Sequence, residues 1–465
     1  MTNYNRIYSF KRAMVWLFFL SVVVTGSSCK KYLDKKPIQN LIVPSSLSDL
    51  QALLDNQNGN SLAPGITEFV ADNYYLTTAA WSPLNIDLRK NYTWDNDARI
   101  TNVNSVWSNP YTAIYNANFV LDYLPKITKN DYDAGTYNNI KGMALFYRAY
   151  MFHQLAQLFC APYSTSTAGS PGIVLRTTAE TDAPINRSTV QQTYDQIISD
   201  LKTAADLLLT SQTFTTRPGK AAAYGELARV YLSMRDYANA EVYANNALTV
   251  NNTLLDYNAL TPVGNPVLPA NPINNPEILF ISRTDIPGVY SASHEAIVDT
   301  TLYRSYNAND LRKTVFFGSN GNNNYWKGSY YTFGGTDYSI FDGLATDEIY
   351  LIRAECRARK GDANAAMDDL NTLLRNRWKT GAFTNLVAID ANDALTQVLN
   401  ERRKELAFRG LRWSDLRRLN LEGANISLTR VVNGTTYTLP ANDLRWTLLI
   451  PDLEINRSGI AQNPR

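Results

Sequence analysis

"AAAYGELARVYLSMRDYANAEVYANNALTVN", residues 221–251, is the stretch on which the fold turns. Tyr224, Leu227, Ala228 and Tyr231 recur three and four residues apart, which places them on one face of a helix. Asp236-Tyr237 turns the chain, and Ala240, Ala244 and Ala247 line a second helix. Small side chains at these places let two antiparallel helices approach closely. A second copy begins near Asp347: Tyr350, Ala354, Gly361-Asp362, Ala366, Leu370 and Leu373 repeat the pattern at a constant offset of 126.

The spacing resembles the tetratricopeptide repeat, with Tyr224, Leu227, Ala228 and Tyr231 where that motif has W-x2-L-G-x2-Y. An offset far beyond the repeat's period of about 34 residues means the pairs are not in simple tandem. Other helices and long insertions lie between them. "SVWSNPYTAIYNANFVLDYLPKI" (105–127), "NNIKGMALFYRAYMFHQLAQLF" (138–159) and "TVQQTYDQIISDLKTAADLLL" (189–209) carry helical periodicity too. Residues 161–188, 251–277 and 318–346, rich in Pro, Asn and Gly, read as long irregular loops. Short strands are expected at Glu277–Ser282 and Thr436–Leu439. The fold class is mostly α: tetratricopeptide-like helix pairs with long irregular loop insertions that form a binding face.

The N-terminus reads as an export signal. Arg6, Lys11 and Arg12 form a basic start, and 13–24 is mostly apolar, too short to span a bilayer but long enough for a signal peptide. Small residues then precede Cys29, and the order V-T-G-S-S-C resembles a bacterial lipoprotein signal, in which the cysteine thiol carries the lipid. Several acyl chains anchor stably where one does not. Lys30, Lys31, Lys35 and Lys36 follow as a solvated tether. Cys160 and Cys356 are too few for a disulfide framework and fall in helical patterns as small hydrophobes.

Several function classes are excluded by what the sequence lacks. A net charge of +2 on 465 residues draws no nucleic acid. With only two histidines, His153 and His294, no H-E-x-x-H zinc site exists. No nucleophile elbow, phosphate-binding loop or C-x-x-C pair occurs. His153 sits in an apolar helix as a core residue, and Asp95 and Asp97 of "WDNDAR" read as turn residues and not as a calcium site. No enzyme, cofactor or metal is expected. The aromatic count does stand out, with 29 Tyr, 8 Trp and 16 Phe, because exposed Tyr and Trp offer flat amphipathic contact area.

The densest charged motif is "NERRKELAFRGLRWSDLRRLN", 400–420. Gly410 breaks one helix, and Leu411, Trp413, Leu416 and Leu419 start another. Glu401, Glu405 and Asp415 interleave the arginines. The motif reads as a salt-bridged helical corner, with Trp413 buried and Arg402 or Arg403 paired with a carboxylate. "ERRKELAFRGLRWSDLRR" also resembles the signature of the SusD/RagB family, outer-membrane lipoproteins of Bacteroidetes nutrient-uptake systems, commonly E-R-R-x-E-L-A-F-E-G-x-R-W-x-D-L-x-R. The likeness continues in "CKKYLDKKP", "VWSNPYTAIYNANFVLDYLP", "IKGMALFYRAYMFHQLAQLF" followed by "APY", "ATDEIYLIRAECRARKGD" and "LLIPDLEINRSGIAQNP". Arg409 stands where Glu is usual and Ser414 where an aromatic is common, which puts the local pairing in question.

The resemblance implies a cell-surface outer-membrane lipoprotein that binds a glycan (an oligosaccharide) and delivers it to a TonB-dependent, SusC-like transporter. It implies the division 1–28 signal peptide, 29–40 lipidated Cys29 and tether, 41–250 N-terminal helical region, 251–346 loop-rich insertion and 347–465 C-terminal region. Sugar rings stack their C–H faces on aromatic side chains while polar groups bond the hydroxyls. The aromatic loops are "ADNYYLTTAAWSPLNIDLRKNYTW" (71–94) and 290–331, and two loops converging on one surface are expected. Candidate glycan contacts are Tyr74, Tyr75, Trp81, Arg89, Trp94, Tyr290, His294, Trp326 and Tyr330. The alternative is a helical-repeat protein-interaction scaffold or a peptide-binding lipoprotein of an uptake complex.

Overall fold

The computed structural model describes residues 44–101, 104–128, 133–260, 268–269, 272–284, 295–327 and 340–465. The segments read as signal peptide and tether, with Cys29, lie outside the described residues. Helix α1 spans Asn109–Tyr123, α2 Ala134–Phe159, α3 Val190–Leu207, α4 Lys220–Met234 and α5 Tyr237–Val250. After the insertion come α6 (Thr346–Lys360), α7 (Ala363–Arg375), α8 (Ala391–Glu405), α9 (Arg412–Asn420) and α10 (Asp452–Ser458).

The two pairs found in the sequence, α4–α5 and α6–α7, are built alike. In each, the first helix ends on a left-handed residue, Arg235 at φ 62° or Gly361 at φ 97°. An aspartate then caps the second helix: the Asp236 carboxylate accepts from Asn239 N–H, and Asp362 from Ala365 N–H. Ala240, Ala244 and Ala247 are fully buried. Helix α5 packs directly against α6. The long offset therefore separates the pairs in sequence only, and 251–345 leaves the stack and returns to it. From α1 to α8 each of these helices packs on the next.

Helix α2 is buried on nearly every side, as befits a helix at the centre of a stack. Its polar residues are accordingly paired. Arg148 makes a bidentate bond to Asp200 of α3 at 2.7 Å for each arm. His153 Nδ1 lies 2.6 Å from Glu226 Oε1. Ser233 Oγ is 3.4 Å from the other ring nitrogen, but its hydroxyl donates to the Val230 carbonyl, so this row ties α2 to α4. Cys160 and Cys356 are buried free thiols, and burial pushes the Cys160 thiol up to about 12.

Six strands concern the site. β1 (Tyr74–Tyr75), β2 (Ile297–Val298), β3 (Phe317–Asn320) and β4 (Asn323–Trp326) form one antiparallel sheet in the order β1-β2-β4-β3. β5 (Leu428–Val432) and β6 (Thr435–Leu439) form a hairpin whose Asn433-Gly434 turn has both φ values positive, the turn that matches strand twist. The strand expected at 277–282 runs from Ile278 to Phe280. The stretch 318–346, expected to be irregular, instead holds most of the β3–β4 hairpin, because Gly321 at φ 61° supplies a two-residue turn.

The charged corner is a buried joint. Trp413 is fully buried, its ring centroid 4.5 Å from that of Trp446. Arg402 Nε donates to Asp415 Oδ2 at 2.8 Å, Arg418 Nε to Asp415 Oδ1 at 2.9 Å, and Arg403 reaches Asp72 at 3.0 Å. Burial pushes the Asp415 carboxyl up, but Arg402 and Arg418 outweigh it and hold it at about 2. Arg417 donates to the Gln157 and Cys160 carbonyls at the end of α2. The two departures from the family pattern are also accommodated. Arg409 pairs with Asp347 at 3.2 Å beneath the Phe341 ring, and Ser414 Oγ donates to the Leu411 carbonyl.

Gly410, at φ 70°, lies where a Cβ would come within 2.9 Å of Asp342 Oδ1, so the turn requires glycine. Its N–H donates to Glu68 Oε2, while Asn73 Nδ2 donates to Oε1. Burial pushes the Glu68 carboxyl up to about 7 against these two bonds, and the Asp342 carboxyl up to about 8 against Arg229 and Arg409. Folded-state values raised this way give stability that is full below the ordinary carboxylate range and is lost as pH rises through 7 and 8. Glu68→Gln keeps an acceptor for Gly410 and, once the Asn73 amide turns over, donates to Asn73 Oδ1. Denaturant unfolding should show this variant level with the parent at pH 5 and more stable at pH 8, by about 1–3 kcal/mol.

Candidate functional site

The sheet joins the two aromatic segments. Tyr75 of β1 pairs with Ile297 of β2, and Ile297 with Tyr325 of β4. Residues directly opposite in a ladder share a face, so Tyr75 and Tyr325 stand on the same side, about 10 Å apart across one intervening strand. Tyr75 is 38 % exposed and Tyr325 is half-buried. A Cβ at Gly318, opposite Tyr325 on β3, would meet the tyrosine ring at 2.3 Å. Glycine there lets the ring lie down over the backbone.

The other side of the sheet belongs to the core. Tyr74 and Trp94 are each only 3 % exposed, which corrects the expectation that they face a ligand. They form, with Tyr92, a cage around the Arg430 guanidinium, whose carbon lies 5.6, 3.7 and 4.5 Å from the rings of Tyr74, Tyr92 and Trp94. Arg430 occupies an inward position of β5 and donates to the carbonyls of Phe69, Ala71 and Tyr92. Aromatic faces attract a desolvated cation, so the rings hold the arginine and the arginine holds the backbone at 69–71. Trp94 adds an Nε1–H bond to the Val70 carbonyl at 3.0 Å. Burial pushes the Tyr74 hydroxyl well above its usual range.

Trp326 is half-buried and stacks on Phe408 at 4.7 Å, with Phe316 and Phe317 beside it. Truncating it would open the core, so it cannot probe binding cleanly. Trp81 is half-buried and lies against Arg89, 5.5 Å from guanidinium carbon to ring centre, with its Nε1–H on the Arg89 carbonyl. Of the remaining candidates, Tyr290, His294 and Tyr330 lie outside the described residues. The structure therefore leaves Tyr75, Trp81 and Arg89 accessible and adds Tyr325. Sequence reasoning missed Tyr325, although "SNGNNNYW" (319–326) carries the Asn-Gly signal of a hairpin, and alternation then puts Tyr325 opposite in sense to Trp326.

Asp97 is engaged by Arg99 at 2.6 Å and Lys90 at 3.0 Å, and Asp95 accepts from Asp97 N–H. Among the described residues no group of three or more His, Cys, Asp and Glu is placed to hold a metal ion, and no helix is long and apolar enough to cross a membrane.

Comparison with known proteins gives two family matches. Residues 31–232 match a SusD-like family described as "Starch-binding associating with outer membrane", and residues 344–459 match the SusD family. The SusD-like protein P2 of Formosa agariphila is 24 % identical over 393 residues, covering 71 % of this chain and 74 % of that protein. A SusD superfamily protein of Bacteroides thetaiotaomicron superposes with a TM-score of 0.73 at 22 % identity, over 90 % of this chain and 100 % of that one. A SusD-like carbohydrate binding protein of Bacteroides vulgatus gives 0.67 at 18 %, over 90 % and 97 %.

Proposed function

The chain belongs to the SusD family, and from that premise we propose that it is a lipid-anchored protein of the outer-membrane surface that binds a glycan without altering it and passes it to a TonB-dependent transporter. The observation that carries the glycan reading is the row Tyr75–Ile297–Tyr325: two aromatic rings drawn from segments more than two hundred residues apart onto one partly exposed sheet face. Rings about 10 Å apart across a strand suit stacking on alternate sugars of an oligosaccharide. Trp81 and Arg89 supply a further ring and a cation in the segment that follows β1.

Two experiments test this. Affinity for a panel of oligosaccharides is measured for the parent, Tyr75→Ala and Trp81→Ala. At least one variant should bind the best ligand roughly tenfold more weakly, a loss of about 1.4 kcal/mol, with little change in melting. Equal affinity in both removes the sheet face from consideration, and no glycan binding by the parent favours a protein-interaction scaffold. The anchor is tested by Cys29→Ala, which should release the protein from the membrane fraction or leave it unprocessed. A variant that stays processed and membrane-bound contradicts lipidation at Cys29.

A further inference from the structure

A second aromatic wall lies on α1, away from the sheet. A π-helical turn over residues 104–108 leads into the helix. Trp107, Tyr111 and Tyr115 follow at four-residue intervals, hence along one side over about 12 Å. The Trp107 ring is anchored by Phe159 at 5.1 Å and by Tyr111 at 4.9 Å, while Tyr115 is 41 % exposed. Facing this wall are Val174, the last residue of a short strand, and the irregular segment 175–185, and α10 closes one end. The cleft between them encloses about 410 Å³, within the size range of small-molecule sites.

The cleft is held open by bonds the helix makes to the loop backbone. Tyr111 Oη donates to the Val174 carbonyl at 3.0 Å, and Asn118 Nδ2 to the carbonyls of Arg176 and Thr178 at 2.8 and 3.1 Å. The Asp122 carboxylate accepts from Ala179 N–H at 2.8 Å. Asn118 is fully buried, and its Oδ1 accepts from Arg148, which also bonds the Thr177 carbonyl. Because Arg148 is locked to Asp200, the loop is fastened to the centre of the helix stack. A loop pinned so thoroughly, beside a cleft lined by the buried Trp107, Tyr111 and the exposed Tyr115 ring, makes a preorganised site.

We propose that this cleft is a second binding site, that its ligand is a carbohydrate, and that the sugar stacks on Tyr115. The chemistry favours sugar over peptide. An extended peptide is held by main-chain bonds to a free backbone edge, and here the loop carbonyls from 176 to 178 already accept side-chain donors. What the cleft does offer is aromatic faces for C–H surfaces, with Thr181, Glu180, Glu454 and Ser458 at its edge to bond hydroxyls. It shares no residue with the sheet face and stands whether or not that face binds.

The test is calorimetric titration of the full chain with maltohexaose, laminarihexaose, xylohexaose, mannohexaose and a casein digest. The parent is compared with Tyr115→Ala, Tyr115→Phe and Tyr75→Ala. At least one saccharide should bind Tyr115→Ala five- to tenfold more weakly than the parent, with Tyr115→Phe at parental affinity and all melting temperatures alike. That result supports the cleft whatever Tyr75→Ala does. Loss in Tyr75→Ala with parental binding in Tyr115→Ala overturns the cleft and leaves the sheet face standing. Equal weakening by Phe and Ala overturns stacking as its basis. Tyr115-dependent binding of the digest alone makes it a peptide site, and a parent that binds no saccharide refutes both sites.

Discussion

Trp413→Ala should lower stability by about 3–5 kcal/mol, as truncation of large aromatics in cores does. The ring is fully buried against Trp446 and sits in the first turn of α9. The arginines and carboxylates around it hold a fixed frame: Arg402 and Arg418 on Asp415, Arg417 on the end of α2. A frame fixed on several sides cannot collapse into the void, which places the cost toward the top of the range for such changes. Denaturant unfolding of the parent and variant measures it. A midpoint unchanged within error would mean that the corner is exposed.

The second large effect is expected at Arg377. Its side chain and those of Glu277, Glu405, Arg312 and Asp310 are fully buried. Arg377 bonds Glu277 at 2.6 Å and Glu405 at 2.7 Å; Arg312 bonds Glu405, Glu401 and Asp310 at 2.7–2.9 Å. Arg377→Ala takes the Arg377 cation from Glu277 and leaves Glu405 with Arg312 alone of its two arginines, and removing one partner from a buried network costs about 3–5 kcal/mol. Arg99→Ala is the control. Its partners Asp97 and Asp452 are exposed, and a surface pair contributes about 0–1 kcal/mol. Equal melting of both variants would contradict a stabilising role for the buried network.

The parts legible in the sequence are those whose signals are local. The offset of 126 between Tyr224 and Tyr350 is a matter of helix periodicity, and both pairs form with matching aspartate caps. Gly410 and Trp413 announced the corner for the same reason. The candidate site was harder to read because its chemistry depends on strands pairing across great distances. Nothing near Tyr74 or Trp94 reveals that Arg430, more than three hundred residues later, takes their faces. An arginine at an inward position of "LTRVV" was the available clue, and it names no partner. Tyr75 and Tyr325 meet through β2, whose two residues carry no signal of which strand they will join. The ladder Trp107–Tyr111–Tyr115 was visible as a period of four, yet that period alone cannot separate a packed face from an open one.

The direct packing of α5 on α6 makes residues 251–345 exchangeable in principle, like a cartridge seated in a socket. The helices on either side touch without them, but the insert also reaches into the core: Phe280 packs on Phe146, Tyr147 and Tyr150 of α2, and Trp326 stacks on Phe408. Three ion pairs add a charged condition for exchange. Glu277, Asp310 and Arg312 come from the insert, while Arg377, Glu401 and Glu405 come from the receiving helices and the turn between them. A transplanted insert that keeps those three charges and the apolar side chains that enter the core, and pairs its own strand with Tyr74–Tyr75 as β2 does, would seat and bring a new ligand preference. One that drops them would take Glu277 from Arg377 and the Arg312 cation from Glu401 and Glu405, a loss felt at the level of folding, before any question of specificity arises.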